Sequence, residues 1–158
     1  MQTAILNSPL GKIEINGDDS GIVSVIFLDT DEVDISETIP LQLTEAVNQL
    51  KEYFEGERQQ FTLKLSSNGT EFQKRVWQEL QKIPFGKTVS YQQIASQLGD
   101  PKVIRAAASA NGKNPIPIII PCHRVIGSDG SLTGYSGGLE RKKWLLELEN
   151  PSNQGSLF

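Results

Sequence analysis

The chain has 158 residues, 37% hydrophobic and 22% charged, with a formal net charge of −4; this is ordinary globular composition, long enough to bury a core in one or two small domains. Its single cysteine excludes an internal disulfide, and one cysteine with one histidine falls short of the four ligands of a structural zinc site. The first ten residues lack the basic start and apolar stretch of a signal peptide, and the run 116–121 is too short to span a membrane, so a cytoplasmic protein without metal or cofactor is expected.

Charge is divided unevenly along the chain. Residues 1–70 carry 4 Lys/Arg against 12 Asp/Glu, whereas residues 71–150 carry 11 against 7. An acidic half joined to a basic half suggests that only the second meets an anion; an uneven solvated surface is the alternative.

Residues 3–7, 12–16 and 22–28 read as three strands of an antiparallel meander, separated by the turn-rich stretches 8–11 and 16–21. The acidic, aperiodic segment 29–40 reads as a loop. Leu43, Val47, Leu50 and Phe54 recur at helical spacing and predict an amphipathic helix that stops near Gly56. Residues 61–65 alternate as a strand does. This part of the chain carries no chemical motif, and residues 66–69 mark a boundary. We therefore expect a scaffold domain over 1–67, a second domain over 68–150 and a flexible tail over 151–158.

The second domain opens with a capping box, Thr70 with Gln73. Phe72, Val76 and Leu80, widened by Trp77, form the helix stripe, which ends at 83–86. Ser90 with Gln93 starts another helix, closed by Gly99. Asp100 as cap and Pro101 at the first position start a third, running through Arg105 to about Ala110 and stopped by Asn111 and Gly112. The last two read as a helix-turn-helix. The small residues of its second helix suit close approach to a neighbouring helix or to a DNA groove, and alanine is also simply the best helix former.

The stretch 114–125 holds the only cysteine and the only histidine side by side, in Pro121-Cys122-His123-Arg124-Val125. Its isoleucine run reads as a buried strand delivering a thiol to the edge of a core. A lone buried cysteine usually acts as a small hydrophobe; here the adjacent histidine offers a base. A glycine-rich loop with Tyr135, able to wall a pocket for a flat ring, follows at 132–138. A last helix is predicted over 139–149 with Trp144, Leu145 and Leu148 facing inward.

These words together resemble the O6-alkylguanine-DNA alkyltransferases. The resemblance runs through Phe85-Gly86, Ser90-Tyr91-Gln92-Gln93, Arg105, Asn114-Pro115, Pro121–Val125, Tyr135-Ser136-Gly137-Gly138 and Trp144-Leu145-Leu146, covers roughly residues 70–150, and gains its specificity from the ordered series of blocks. It implies an α+β fold: a small ribonuclease-H-like N-terminal domain, then a mostly helical DNA-binding domain with a helix-turn-helix. It implies a single-turnover transfer of an alkyl group from O6 of guanine, or O4 of thymine, in double-stranded DNA to Cys122 after base flipping.

By the same resemblance His123 is the base, acting through a water, since adjacent residues of an extended segment point apart. Glu149 orients His123, and Asn114 braces the turn around Cys122. Tyr91, Arg105, Tyr135, Ser136 and Val125 meet the substrate, with Arg105 filling the gap left by the flipped base. Lys102, Arg105, Ala106 and Arg124 meet DNA, the helix entering the minor groove. Ala107-Ala108-Ser109 departs from many relatives, where glycine is common. A monomer is expected. The tail resembles a clamp-binding peptide, which implies a sliding-clamp contact through Gln154, Leu157 and Phe158. The competing classes are a non-catalytic helix-turn-helix DNA-binding regulator and a Cys–His hydrolase.

Overall fold

Strict alternation builds the first sheet. β1 (Gln2–Leu6), β2 (Lys12–Asp18) and β3 (Gly21–Leu28) form an antiparallel meander, with Ala4 opposite Ile15 and Ile15 opposite Val25. One face buries Ala4, Leu6, Ile13, Ile15 and Val25, as period-two patterning requires. A 3₁₀ turn, Leu41–Leu43, packs on β1 and β2 and leads into α1 (Thr44–Phe54), whose inner face is Ala46, Val47, Leu50 and Tyr53. The computed structural model describes residues 1–132 and 134–151. The chain divides into two compact units, Met1–Asn68 and Gly69–Phe158. Gln154, Leu157 and Phe158 lie outside the described residues.

The strand expected over 61–65 is absent. The segment touches the sheet only at a bridge between Ile22 and Leu65, because the buried Gln49 side chain accepts from the Thr62 N–H at 2.9 Å and donates its Nε2 to the Thr62 hydroxyl at 3.0 Å. A side chain thus occupies a donor that a ladder would need. The segment still crosses close to β3: a Cβ on Gly21, at φ +129, would lie 2.5 Å from the Lys64 carbonyl oxygen.

In the second unit α2 (Glu71–Leu80) and α3 (Tyr91–Gln97) both begin with the reciprocal caps read from sequence. Thr70 Oγ1 accepts from Gln73 N at 3.0 Å, and Ser90 Oγ accepts from Gln93 N at 3.1 Å; each glutamine accepts back. The third helix is divided: Pro101–Val103 is a 3₁₀ turn capped by Asp100, and α4 is Ile104–Gly112. Asn111 and Gly112 lie inside it rather than ending it, for Gly112 keeps a helical φ and Asn111 is buried against the core. Trp77 ties α2 to α4 by donating its indole N–H to the Ala110 carbonyl at 2.9 Å.

The isoleucine run is buried, as expected, but it is no strand. Ile116, Ile118 and Ile120 are at most 1% exposed, yet the backbone coils into a turn with Ile120 N donating to the Ile116 carbonyl at 2.9 Å. Ile118 adopts φ 73, a left-handed conformation that a β-branched residue rarely takes. Pro115, Pro117 and Pro121 remove backbone donors from the run, so a ladder cannot form across it. Asn114 supplies the missing bonds: its Oδ1 accepts from Ile116 N at 2.9 Å and its Nδ2 donates to the Ile120 carbonyl at 2.8 Å.

From this coil the chain enters a 3₁₀ turn, Cys122–Arg124, and then β5 (Val125–Ile126). β5 pairs in parallel with β4 (Val89–Ser90), Val89 against Val125 and Ser90 against Ile126. Helix α5 (Leu139–Glu149) has the bounds read from sequence. Its buried face is only partly the expected one: Leu145 turns inward as read, with Lys142, Leu146 and Glu149, while Trp144 and Leu148 are half-buried.

Candidate active site

Everything in the site converges on the turn Cys122–Arg124, whose three side chains are all buried. Cys122 is 2% exposed, with its backbone N–H on the Ile120 carbonyl at 2.8 Å. The side chains of His123 and Arg124 reach the same carboxylate at the end of α5. His123 Nε2 lies 2.6 Å from Glu149 Oε2. Arg124 Nε donates to Glu149 Oε1 at 2.8 Å and Arg124 Nη2 to Glu149 Oε2 at 2.9 Å, the bidentate geometry of the strongest charge-assisted pairs. The remaining guanidinium nitrogen, Nη1, donates to the Ile83 carbonyl at 2.7 Å.

This arrangement fixes the state of the histidine. Glu149 already shares its charge with Arg124, and burial lowers the His123 pKa although Glu149 opposes it, so the ring is neutral. With Nε2–H donated to the carboxylate, the tautomer leaves the lone pair on Nδ1. Nδ1 is buried and has no protein partner among the described residues. Burial alone would raise the Glu149 pKa, but His123 and then Arg124 overcome it and hold the carboxyl well below its ordinary range.

The thiol is shielded. Burial pushes the Cys122 pKa up to about 11, against the opposing pull of an Asn114 side-chain hydrogen bond and the Lys142 ammonium. At neutral pH the resting sulfur is therefore a thiol, and a nucleophile must be generated by a nearby base. Asn111 Nδ2 adds a long contact, 3.5 Å, to the Cys122 carbonyl. Among the described residues no three His, Cys, Asp or Glu side chains gather to hold a metal ion.

Comparison with known proteins agrees along the whole chain. The family models that match are the ribonuclease-like domain of 6-O-methylguanine DNA methyltransferase over residues 1–67 and its DNA binding domain over residues 71–151. The chain belongs to the 6-O-methylguanine DNA methyltransferase family. It is 46% identical to the methylated-DNA–protein-cysteine methyltransferase of Methanosarcina acetivorans, over 94% of this chain and 98% of that one. It is 44% identical to the constitutive enzyme of that name from Bacillus subtilis, over 92% and 93%. A crystal structure of the Mycobacterium tuberculosis O6-methylguanine methyltransferase matches with TM-score 0.84 at 45% identity, covering 95% of this chain and 93% of its own. A structure of the M. tuberculosis protein in complex with DNA gives 0.86 at 44% identity, covering 96% and 94%.

Within this methyltransferase fold the residues singled out from sequence fall into two groups. Cys122, His123, Glu149, Asn114 and Val125 surround the turn, and Tyr135 joins them with its hydroxyl buried. Its phenol pKa is raised by burial and next by the charge of Cys122. Lys102, Arg105, Ala106 and Ser136 are exposed. Tyr91 is half-buried and follows β4 directly, so the β4–β5 pairing carries it toward the turn.

Arg124 requires a correction. It was expected to meet DNA, but its guanidinium is buried against Glu149 and Ile83 and lies 5.8 Å from the Phe85 ring centroid. A guanidinium that finds a buried carboxylate in bidentate register is not available to a phosphate. Lys142 was not singled out from sequence, and Asn111 was read only as a helix stop, not as a neighbour of the site. The only signal for Lys142 was its i, i+7 spacing to Glu149, which places both on one helix face.

A neutral buried histidine has a measurable consequence. Unfolded, His123 takes up a proton near its ordinary value of 6.5, but folded only at lower pH. Between those values the unfolded chain binds more protons, so stability falls as pH falls. Glu149, with a folded value below its ordinary 4.5, adds a second loss in the same direction as pH drops further. Thermal melts from about pH 7 to about pH 4 should show a steadily falling Tm. A Tm unchanged down to about pH 5 would contradict the neutral assignment.

Proposed function

We propose that this protein repairs alkylated DNA directly, moving a methyl or larger alkyl group from O6 of guanine, or O4 of thymine, to Cys122 once per molecule. The observation that carries the reading is the buried Cys122 beside a neutral His123 whose basic Nδ1 is free of protein partners and whose Nε2 is held by Glu149. The Cys122 proton passes through a water to His123 Nδ1. The resulting imidazolium is balanced by Glu149, as in other nucleophile–base–carboxylate series. The thiolate then attacks the alkyl carbon in line, an S–C bond forms as the C–O bond breaks, and the leaving base is reprotonated from His123. The thioether product has no leaving group to return, so one molecule acts once. A hydrolase on the same Cys–His pair would instead turn over.

The target oxygen is inside the duplex, so the base must leave the stack. Arg105, exposed in the first turn of α4, takes the vacated space. Tyr91 promotes the rotation, Tyr135 walls the pocket, Ser136 offers its amide to O6, the Val125 backbone lines the pocket and Asn114 holds the coil behind Cys122. Lys102 and Ala106 complete the groove contact. The test is transfer of radiolabel from duplex DNA carrying O6-methylguanine: one equivalent should appear on Cys122 with no turnover. DNA binding without label would favour the non-catalytic regulator. In the same assay Arg105→Ala should slow the duplex reaction on the order of 10–100-fold, the scale of an unstacking cost of a few kcal/mol. Its rate with free O6-benzylguanine, which needs no extrusion, should stay within about twofold of wild type. Equal losses on both substrates would remove Arg105 from the flipping step.

A further inference from the structure

Two buried polar atoms beside the nucleophile have no protein partner among the described residues, His123 Nδ1 and Asn111 Oδ1. The second has no part in the chemistry above. Asn111 sits in the last turn of α4 with its side chain turned into the core, 4% exposed. Its Nδ2 lies 3.5 Å from the Cys122 carbonyl oxygen. An amide that faces a carbonyl presents its NH2 group, so Oδ1 is left on the other side as an acceptor. Leaving a buried acceptor unpaired costs more than so long a contact returns. Nor does the Cys122 carbonyl need that contact, since it already accepts from the Val125 N–H. We infer that Asn111 is a positioning residue for the proton transfer, its Oδ1 holding and orienting the water that carries the Cys122 proton to His123 Nδ1.

The hydrogen-bonding capacities fit a single water. Asn111 Oδ1 only accepts, and the neutral His123 accepts at Nδ1 because its Nε2–H is given to Glu149. The two residues meet at one peptide group: the Asn111 amide faces the Cys122 carbonyl, and His123 begins at the nitrogen bonded to it. A water between two acceptors gives one hydrogen to each, which leaves its oxygen lone pairs for a donor. The Cys122 S–H is that donor, and about three bonds is the usual complement of a buried water. In the transfer the S–H bond breaks and its proton goes to the water oxygen, while the water hydrogen aimed at Nδ1 forms the N–H bond. The other water hydrogen stays on Asn111 Oδ1 throughout. With His123 as its only acceptor, the water would be free to swing about that one bond; Asn111 fixes its lone pairs toward the sulfur before the proton moves. Asn114 cannot take this part, because its Oδ1 and Nδ2 are both used on the backbone of the coil, at Ile116 and Ile120.

The inference rests on reading Cys122 as the nucleophile and His123 as its base. Its test pairs transfer from free O6-benzylguanine with alkylation by iodoacetamide, which needs no DNA and reports the only thiol in the chain. In full-length protein Asn111→Leu should slow both reactions about tenfold at about pH 7, a part of the roughly 10²–10⁴-fold that a positioned base supplies. The deficit should close as pH rises toward about 11, where the thiol ionises without help. The substitution changes no charge: His123 and Arg124 from the turn, Tyr135 from the loop after β5, and Lys142 and Glu149 from α5 still surround the pair. Stability should not fall, because the unpaired acceptor leaves with the amide. A folded Asn111→Leu protein with wild-type rates near neutral pH would overturn the proposal. So would a loss confined to O6-benzylguanine, which would set Asn111 against the alkylated base instead of the water. Should Asn111→Leu fail to fold, a high-resolution crystal structure of the unreacted wild type decides the matter. One water should lie within about 3.2 Å of both Asn111 Oδ1 and His123 Nδ1, and no water on Oδ1 would refute the role. If the repair reading itself failed, labelled DNA would leave Cys122 unmodified while the iodoacetamide rates still gave their answer.

Discussion

Cys122→Ser should abolish alkyl transfer while leaving DNA binding and the fold in place. The hydroxyl is a far weaker nucleophile than a thiolate, and His123 Nδ1 is too weak a base to ionise it fully. Removing a catalytic nucleophile acts on the order of 10⁴-fold or more. The substitution is nearly isosteric in a site 2% exposed, and the Asn114 side chain stays committed to the Ile116 amide and the Ile120 carbonyl. Stability should therefore change by no more than about 1 kcal/mol. The exposed Lys102 and Arg105 belong to the Pro101–Val103 turn and α4, so affinity for duplex DNA should stay within about twofold. Radiolabel transfer and gel-shift titration on the same preparation check both halves. Transfer at a wild-type rate would exclude Cys122 as the acceptor.

Glu149→Gln should produce the largest loss of stability available to a single change in this unit. Four donors converge on the Glu149 carboxylate: His123 Nε2, Arg124 Nε, Arg124 Nη2 and, at 3.4 Å, the Gly86 amide. A neutral amide cannot accept from all of them, and it leaves the Arg124 guanidinium buried without its counter-charge. Breaking a buried pair in this way costs about 3–5 kcal/mol, a large part of the stability of a small domain. Denaturant melts should register the loss directly. Replacing both partners, as Arg124→Met with Glu149→Gln, removes the stranded charge and should recover part of the stability. Alkyl transfer should stay impaired in the double variant, because His123 still lacks the carboxylate that balances its imidazolium. A Glu149→Gln protein as stable as wild type would mean that the Arg124–Glu149 clamp does not hold the turn.

Much of the chain was legible because the deciding interactions are local. The caps at Thr70 and Ser90 involve partners three residues apart. The meander follows from period-two alternation between turn residues, and α5 begins and ends where its glycines and its last carboxylate place it. The Cys122-His123 pair, with the ordered blocks around it, was sufficient to suggest both the chemistry and the family.

What the sequence left open depends on contacts made at long range. The isoleucine run gave a correct account of burial and a wrong one of conformation, because apolar periodicity reports what is hidden from water and not where the backbone bonds go. Three prolines and the Asn114 side chain decided that. Arg124 was assigned to DNA by the resemblance and Lys142 was not singled out, because charged residues default to water in any pattern reading. Their partners lie far along the chain: Glu149 is 25 residues from Arg124, Ile83 is 41, and Val125 is 17 from Lys142. The sequence by itself determined that a thiol and an imidazole stand side by side at the edge of a core in a protein of this family. Only the tertiary structure decided which charges are drawn inside to meet them, since a buried charge is tolerated only where folding brings its partners within hydrogen-bonding distance.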